Sequence, residues 1–183
     1  MSVVFGGRKA KGLYYGGRKI REAWYGGKKV YTAGQPEKPV EVAPPGFYGE
    51  AQRWLRKTLI EYGTTYEDVT ELPFDLDTSR VQDASFLFSG CKSLVTAPSL
   101  ILTVPYDADG MFSECESLTH VPDMDVTNLK YMNNFFYGCK SLTDGSVRLI
   151  RRDGTLPAQH LDMIARSGLT REPFYRPDGT PID

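Results

Sequence analysis

Phe88-Ser89-Gly90-Cys91-Lys92-Ser93-Leu94 is the stretch that decides the fold, because the chain writes it three times. It returns as Phe112-Ser113-Glu114-Cys115-Glu116-Ser117-Leu118 and again as Phe136-Tyr137-Gly138-Cys139-Lys140-Ser141-Leu142. Phe, Cys, Ser and Leu each recur at a spacing of 24 residues, with no insertion. The flanks repeat too. Pro98 and Pro122 follow the anchor leucine by four residues, and Val81, Ala84 and Leu87 match Leu129, Met132 and Phe135. Apolar residues at i, i+3 and i+6 suit a short helical turn with one apolar side.

A fixed period of this length, built on Leu and Cys, predicts a leucine-rich solenoid over about residues 72–146. Each coil would hold a short strand, a turn and a helical or irregular return. One coil cannot bury its apolar face alone, whereas stacked coils can, with neighbouring strands about 4.8 Å apart. The expected core is Phe88, Cys91 and Leu94, then Phe112, Cys115 and Leu118, then Phe136, Cys139 and Leu142.

The pattern F-x-G-C-x-S-L-x-x-x-P, with Asp-Val-Thr-Asn-Leu-Lys-Tyr-Met-Asn-Asn-Phe-Phe at 125–136, resembles the BspA-like leucine-rich repeats. That family occurs in bacterial surface proteins and in phage or prophage virion proteins. The resemblance covers roughly residues 70–146 in three copies, and the middle copy departs from it at 103–110. It brings no catalytic residues. It implies a scaffold and a recognition surface.

The three cysteines are Cys91, Cys115 and Cys139, all at one phase of the repeat. Equivalent positions in stacked coils form a ladder, so we expect a column of buried, reduced thiols that act as small hydrophobes. An odd count at one even spacing does not make a disulfide framework. Zinc sites need paired Cys and His at close spacing, which His120 and His160 do not offer.

Outward from the repeat, residues 1–33 carry a second repeat with a period of ten: Phe5-Gly6-Gly7-Arg8-Lys9, Tyr15-Gly16-Gly17-Arg18-Lys19 and Tyr25-Gly26-Gly27-Lys28-Lys29. Gly-Gly between aromatic and β-branched runs is a two-residue hairpin signal, because such turns need φ > 0. We expect a four-stranded antiparallel β-meander with strands near 2–5, 8–15, 18–25 and 28–33. Leu13 would pair with Ile20, and Ala23 with Val30. Both faces of that sheet would be substantially apolar, and so small a sheet cannot cover itself. Tyr14, Ile20, Trp24, Tyr25 and Tyr31 are the expected anchors of an interface with other chains. This Tyr-Gly-Gly-Lys-Lys-Val pattern also resembles short repeats in minor tail and head-associated proteins of actinobacteriophages.

Residues 34–49 read as a proline-rich, semi-rigid linker. From Glu50 to about Tyr62 the pattern is helical, with Trp54, Leu55, Thr58, Leu59 and Tyr62 on one face and Gly63 beyond. An open first coil needs a cover, and this helix is the expected cap, with Trp54, Leu55 and Leu59 as its apolar contacts. Trp54 as a ligand platform is the alternative. After the repeats, Val147–Ile150 reads as a strand. Pro157 to Arg166 reads as a second capping helix with Leu161 and Ile164 facing inward, and the tail from Thr170 as a hairpin or arm.

The expected architecture is therefore mixed, of the α+β kind: an N-terminal antiparallel meander, a linker, and a capped leucine-rich-repeat domain over 50–183. Net charge is −1, which gives no global reason to expect nucleic acid or an anionic membrane. Aromatics make up 12% with eleven Tyr, suited either to contact surfaces or to cross-strand packing. The basic residues after each Gly-Gly are balanced by acidic ones and read as protection of exposed turns. No apolar run approaches 18 residues, and no signal peptide is legible. No G-x-S-x-G elbow, P-loop, H-E-x-x-H or Rossmann fingerprint is present. Asp123 and Asp125 make only a two-carboxylate cluster, a weak case for Ca²⁺. We expect neither enzyme activity nor a cofactor.

The function these features imply is a phage virion structural protein, a minor tail or fibre component or a head decoration. It would assemble in the host cytoplasm and be carried on the virion. Expected partners are further copies of the chain, as a homotrimer or another symmetric oligomer, or other virion proteins, and a host-surface protein or glycan. A bacterial surface adhesin fragment and an intracellular protein-binding scaffold are the alternatives.

Overall fold

The structure is a computed structural model and describes residues 4–5, 8–9, 13–15, 18–20, 22–25, 28–32, 38–45, 49–102 and 107–182. The chain divides into two compact units, Met1–Lys38 and Pro39–Asp183.

In the first unit β1 (Val4–Phe5) pairs with β2 (Arg8–Lys9), β3 (Leu13–Tyr15) with β4 (Arg18–Ile20), and β5 (Glu22–Tyr25) with β6 (Lys28–Thr32), all antiparallel. Each pair brackets one Gly-Gly. Leu13 pairs with Ile20, as the spacing across Gly16-Gly17 predicts. Ala23 pairs with Tyr31 and not with Val30, because the register shifts between Ala23 and Trp24. The expected meander is not formed. Among the described residues the strands make three separate two-stranded sheets. Of the single strand expected over 8–15, the described residues form two strands, β2 and β3. Gly12 falls in its middle, and glycine weakens a strand interior.

The second unit is mostly irregular, with one short helix and small parallel sheets. Its first element lies inside the segment expected to be linker. β7 (Val40–Val42) pairs in parallel with β8 (Asp75–Asp77), and Ala43 is fully buried. The alternation Val40-Glu41-Val42-Ala43 is a strand pattern, and the prolines around it mask it without forbidding an edge strand. The helix α1 (Glu50–Glu61) follows, entered from Gly49 at φ 75°. It buries Ala51, Leu55, Thr58 and Leu59, while Trp54 is half-buried against the core.

After α1 the expected solenoid of regular strand-and-return coils is not found; irregular segments, called coils below, lie against one another through backbone hydrogen bonds. Asp83, Asp107, Tyr131 and Gln159 form one column of parallel bridges. The N–H groups of Ala84, Phe86, Phe88 and Gly90 donate to the carbonyls of Asp107, Asp109, Met111 and Ser113, at 2.8–3.0 Å. Those of Ala108, Gly110, Phe112 and Glu114 donate to Tyr131, Asn133, Phe135 and Tyr137, and those of Met132, Asn134, Phe136 and Gly138 to Gln159, Leu161, Met163 and Ala165. Each ladder runs from the earlier coil's donors to the later coil's acceptors. The return, expected to be helical or irregular, is a chain of tight turns. Leu87 donates to Ala84, Ser89 to Phe86 and Cys91 to Phe88, and each coil repeats the set.

Two left-handed residues per coil make those turns. The first is Phe86, Gly110, Asn134 and Asp162 in the four coils, the second Gly90, Glu114, Gly138 and Arg166, at φ between 52° and 83°. The Phe86 ring lies on Gly110, where an added Cβ would stand 2.7 Å from it. The fourth coil extends the repeat beyond 146. It is offset from the third by 28 residues at the Tyr131–Gln159 bridge instead of 24.

On another side of the coils short parallel strands line up: β9 (Met124–Asp125), β10 (Leu149–Ile150) and β11 (Phe174–Tyr175). They do not join β7 and β8 into one sheet. Residues 98–102 occupy the intervening place without strand pairing, and the hydroxyl of Thr78 holds both the N–H and the carbonyl of Ile101, at 2.8 and 3.0 Å.

The nine anchor residues, Phe88, Cys91, Leu94, Phe112, Cys115, Leu118, Phe136, Cys139 and Leu142, are fully buried. Phe88, Phe112 and Phe136 stack, with ring centroids 5.2 and 5.7 Å apart. Cys115 donates its thiol to the Phe88 carbonyl at 3.1 Å, and Cys139 to Phe112 at 3.0 Å. All three thiols are free.

The second capping helix, expected over 157–166, is absent, because that segment is the turn chain of the fourth coil. Left-handed backbone at Asp162 and Arg166 is incompatible with a helix there. Leu161, expected to face inward, is 74% exposed. Strand β11 takes its place in the column, and the tail folds back over it. Ile182 donates to Phe174, and Arg176 to Thr180.

Candidate functional site: two unlike ends of the stack

Among the described residues no group of three or more His, Cys, Asp or Glu is arranged to hold a metal ion. Among those residues, too, no helix is long and apolar enough to cross a membrane. Burial pushes the Cys91 thiol up to about 12. Contact with the Cys139 thiol, and then burial, push Cys115 up as well. Thiols in that state are not nucleophiles near neutral pH. His160 lies 3.5 Å from Glu172 and edge-on to Phe174, in the position of a packing residue.

What the coils offer is surface. One outer column runs Lys92–Glu116–Lys140, with Glu116 3.8 Å from the first lysine and 2.8 Å from the second. These pairs are exposed and add little stability. They leave the column with one net positive charge. Another column sets Ser85 on Asp107 at 2.7 Å and Asn133 on Asp109 at 2.7 Å. Burial, with Asp107 and Asp83 nearby, raises the Asp109 carboxyl above its ordinary value.

A pocket of about 340 Å³ opens where the strand column is interrupted, with Leu100, Ile101 and Leu102 on one wall and Asp125, Thr127 and Arg152 on the other. Its two charges satisfy each other. Arg152 Nε donates to Asp125 at 2.6 Å.

The ends of the stack differ in kind. At the first coil the outward carbonyls have no preceding coil, and side chains meet them. Tyr66 Oη donates to Leu87 O at 2.8 Å, and Gln52 Nε2, from α1, donates to Ser89 O at 3.3 Å. Arg56 stacks on the Tyr66 ring at 3.8 Å. At the fourth coil the outward groups are the N–H donors of His160, Asp162, Ile164 and Arg166. They are the counterparts of Ala84, Phe86, Phe88 and Gly90, and none has an acceptor among the described residues. Leu161 and half-buried Ile164 flank that row.

Of the cap residues read from the sequence, Leu55 and Leu59 are fully buried and Trp54 packs on the core's edge. The polar half of the cap, Gln52 and Tyr66, was missed. A signal existed. Tyr66-Glu67-Asp68-Val69 followed by Leu72-Pro73 echoes Cys91-Lys92-Ser93-Leu94 followed by Ala97-Pro98, at an offset of 25. Glu67 and Thr70 accept from Ser93 and Val95 much as Lys92 and Val95 accept from Ser117 and Thr119. Also missed was Arg151, 4% exposed, whose guanidinium holds Val126 O, Leu129 O and Asp153 and so ties the corner between two coils. The backbones of Tyr14, Ile20, Trp24, Tyr25 and Tyr31 lie on β3 to β6. What their side chains meet lies outside the described residues.

Set beside known proteins, the chain matches no family model, no curated protein and no solved structure.

Proposed function

We propose that this chain is a binding and assembly protein, not a catalyst, and that it serves as a structural component of a phage virion. In this reading the coils form a short leucine-rich-repeat solenoid of the BspA-like kind. Their outer columns meet a protein or glycan of the host surface. The Gly-Gly hairpin unit holds the protein to other virion proteins or to copies of itself, through Tyr14, Ile20, Trp24, Tyr25 and Tyr31.

The single observation that carries the reading is the coil ladder. Its backbone bonds join like positions of successive repeats, while every thiol is buried and the pocket lined by Asp125 and Arg152 is self-neutralised. An architecture that spends its residues on a repeated surface favours recognition over chemistry. The test is mass spectrometry and immunogold labelling of particles purified from a lysate of the strain that carries the gene. The chain should copurify with the particles at constant stoichiometry, and gold should mark one location on each. A chain found only in the particle-free fraction would overturn the virion assignment and leave the adhesin and scaffold readings.

A further inference from the structure

We propose that the open edge of the fourth coil, His160, Asp162, Ile164 and Arg166, is a docking site for a coil of the same kind carried by another protein. The proposal does not depend on the virion reading, since it rests on donor and acceptor polarity alone. Three times in this molecule a row of four alternate N–H groups is met by four alternate carbonyls of the next coil, at 2.7–3.0 Å. The fourth row has the same turn chain and the same left-handed residues, Asp162 and Arg166, and its donors meet nothing among the described residues. The tail shields the neighbouring strand β11 through Ile182 and Thr180 and sets Glu172 beside the His160 ring, but it accepts from none of these four N–H groups. Among the described residues the row is therefore built and unpaired. Unpaired edges of this sort template pairing with another chain.

Polarity limits the occupant. A second copy docked through the same edge would set donors against donors. A second copy offering its first coil would find Leu87 O and Ser89 O already taken by Tyr66 and Gln52. What fits is a coil with free carbonyls at alternate residues and no helix over them. An apolar face on that coil would complete the packing on Ile164 and on Leu161, whose 74% exposure is the highest among the large apolar side chains described.

The test appends a second copy of residues 129–146 to the full chain after Asp183 through a Gly-Ser linker, which holds the probe at millimolar effective concentration. The added segment carries one thiol, the copy of Cys139, while the native thiols are buried and serve as the check that the chain is folded. We expect the added thiol to react with a thiol reagent at least tenfold more slowly than in a control whose appended segment is scrambled around the same cysteine. Ile164→Glu should restore the fast rate, and so should Leu161→Lys if the first variant perturbs the fold. Equal rates in the native-order and scrambled forms would overturn the proposal. So would self-association of the unmodified chain that Ile164→Glu abolishes, because the occupant would then be a second copy.

Discussion

The chain contains two sequence repeats, and they build different things. Among the described residues the ten-residue repeat makes three separate two-stranded sheets, each pairing the strands on either side of one Gly-Gly. The 24-residue repeat makes coils that bond to one another through twelve aligned backbone hydrogen bonds. The difference lies in where each unit sends its polar backbone groups. A hairpin satisfies its inner groups locally and needs no neighbour to be complete. A coil that uses alternate N–H groups for its own turns must send the others outward, and only the next coil can take them. Structure therefore propagates along the second repeat and not along the first. It also follows that the second repeat has ends, and that ends need treatment.

The largest expected effect comes from separating the two. Deleting residues 1–38 should leave unit 39–183 folded with an unchanged melting temperature, while deleting 1–62 should strip β7 and α1 from the first coil and cause aggregation. Light scattering and thermal melts check both. A monomeric, cooperative product from the longer deletion would show that α1 is not a cap. The same scattering measurement reads the first unit. The full chain should be an oligomer that becomes monomer in residues 39–183 and in Trp24→Ala with Tyr31→Ala, with no change in the melt of the coils.

A smaller effect isolates the polar part of the cap. Tyr66→Phe keeps the ring under Arg56 and removes the donor to Leu87 O. Leaving that carbonyl unpaired should cost about 1–3 kcal/mol in denaturant unfolding. No change would mean that the first coil's carbonyls are hydrated in any case.

Cys115→Ala should cost about 1 kcal/mol, as a small core truncation whose lost thiol bond is weak. The Phe88 carbonyl keeps its bond from the Cys91 N–H at 3.0 Å. In the native chain all three thiols should resist labelling until unfolding. Rapid modification of any one would contradict the buried column.

The smallest effect concerns pH. Asp144 accepts from the Thr170 hydroxyl and N–H, and these bonds hold its carboxyl below the ordinary value. A depressed pKa contributes stability above the unfolded pKa that is lost as pH falls through the folded one. Asp144→Asn should therefore flatten the acid limb of the stability curve below about pH 4 and leave the neutral region little changed. An acid limb identical to that of the native chain would remove Thr170 from the account.

The sequence made some of this legible and hid the rest for physical reasons. The anchor residues of the first three coils and the α1 span are readable because apolar periodicity marks them directly. The fourth coil is not, because it carries Ile164 and Ser167 at the phenylalanine and cysteine phases and enters four residues late. Its Pro157, Leu161, Ile164 and Gly168 mimic a capped helix. The left-handed residues that forbid one, Asp162 and Arg166, give no warning, since neither is glycine. The separate hairpins were misread as one sheet because hairpin turns fix only nearest-neighbour pairing. The cap bonds of Gln52 and Tyr66 and the open edge of the last coil have no periodic signature. They become visible only when the backbone donors and acceptors are followed from coil to coil.

That following can be done in solution by native-state amide hydrogen exchange on the full chain. The account predicts slow exchange for Phe86, Phe88 and Gly90, for Gly110, Phe112 and Glu114, and for Asn134, Phe136 and Gly138. It predicts fast exchange for Asp162, Ile164 and Arg166, which hold the same places in the last coil. Protection of all four sets alike, or of none, would contradict a stack that is bonded between coils, covered at its first end and open at its last.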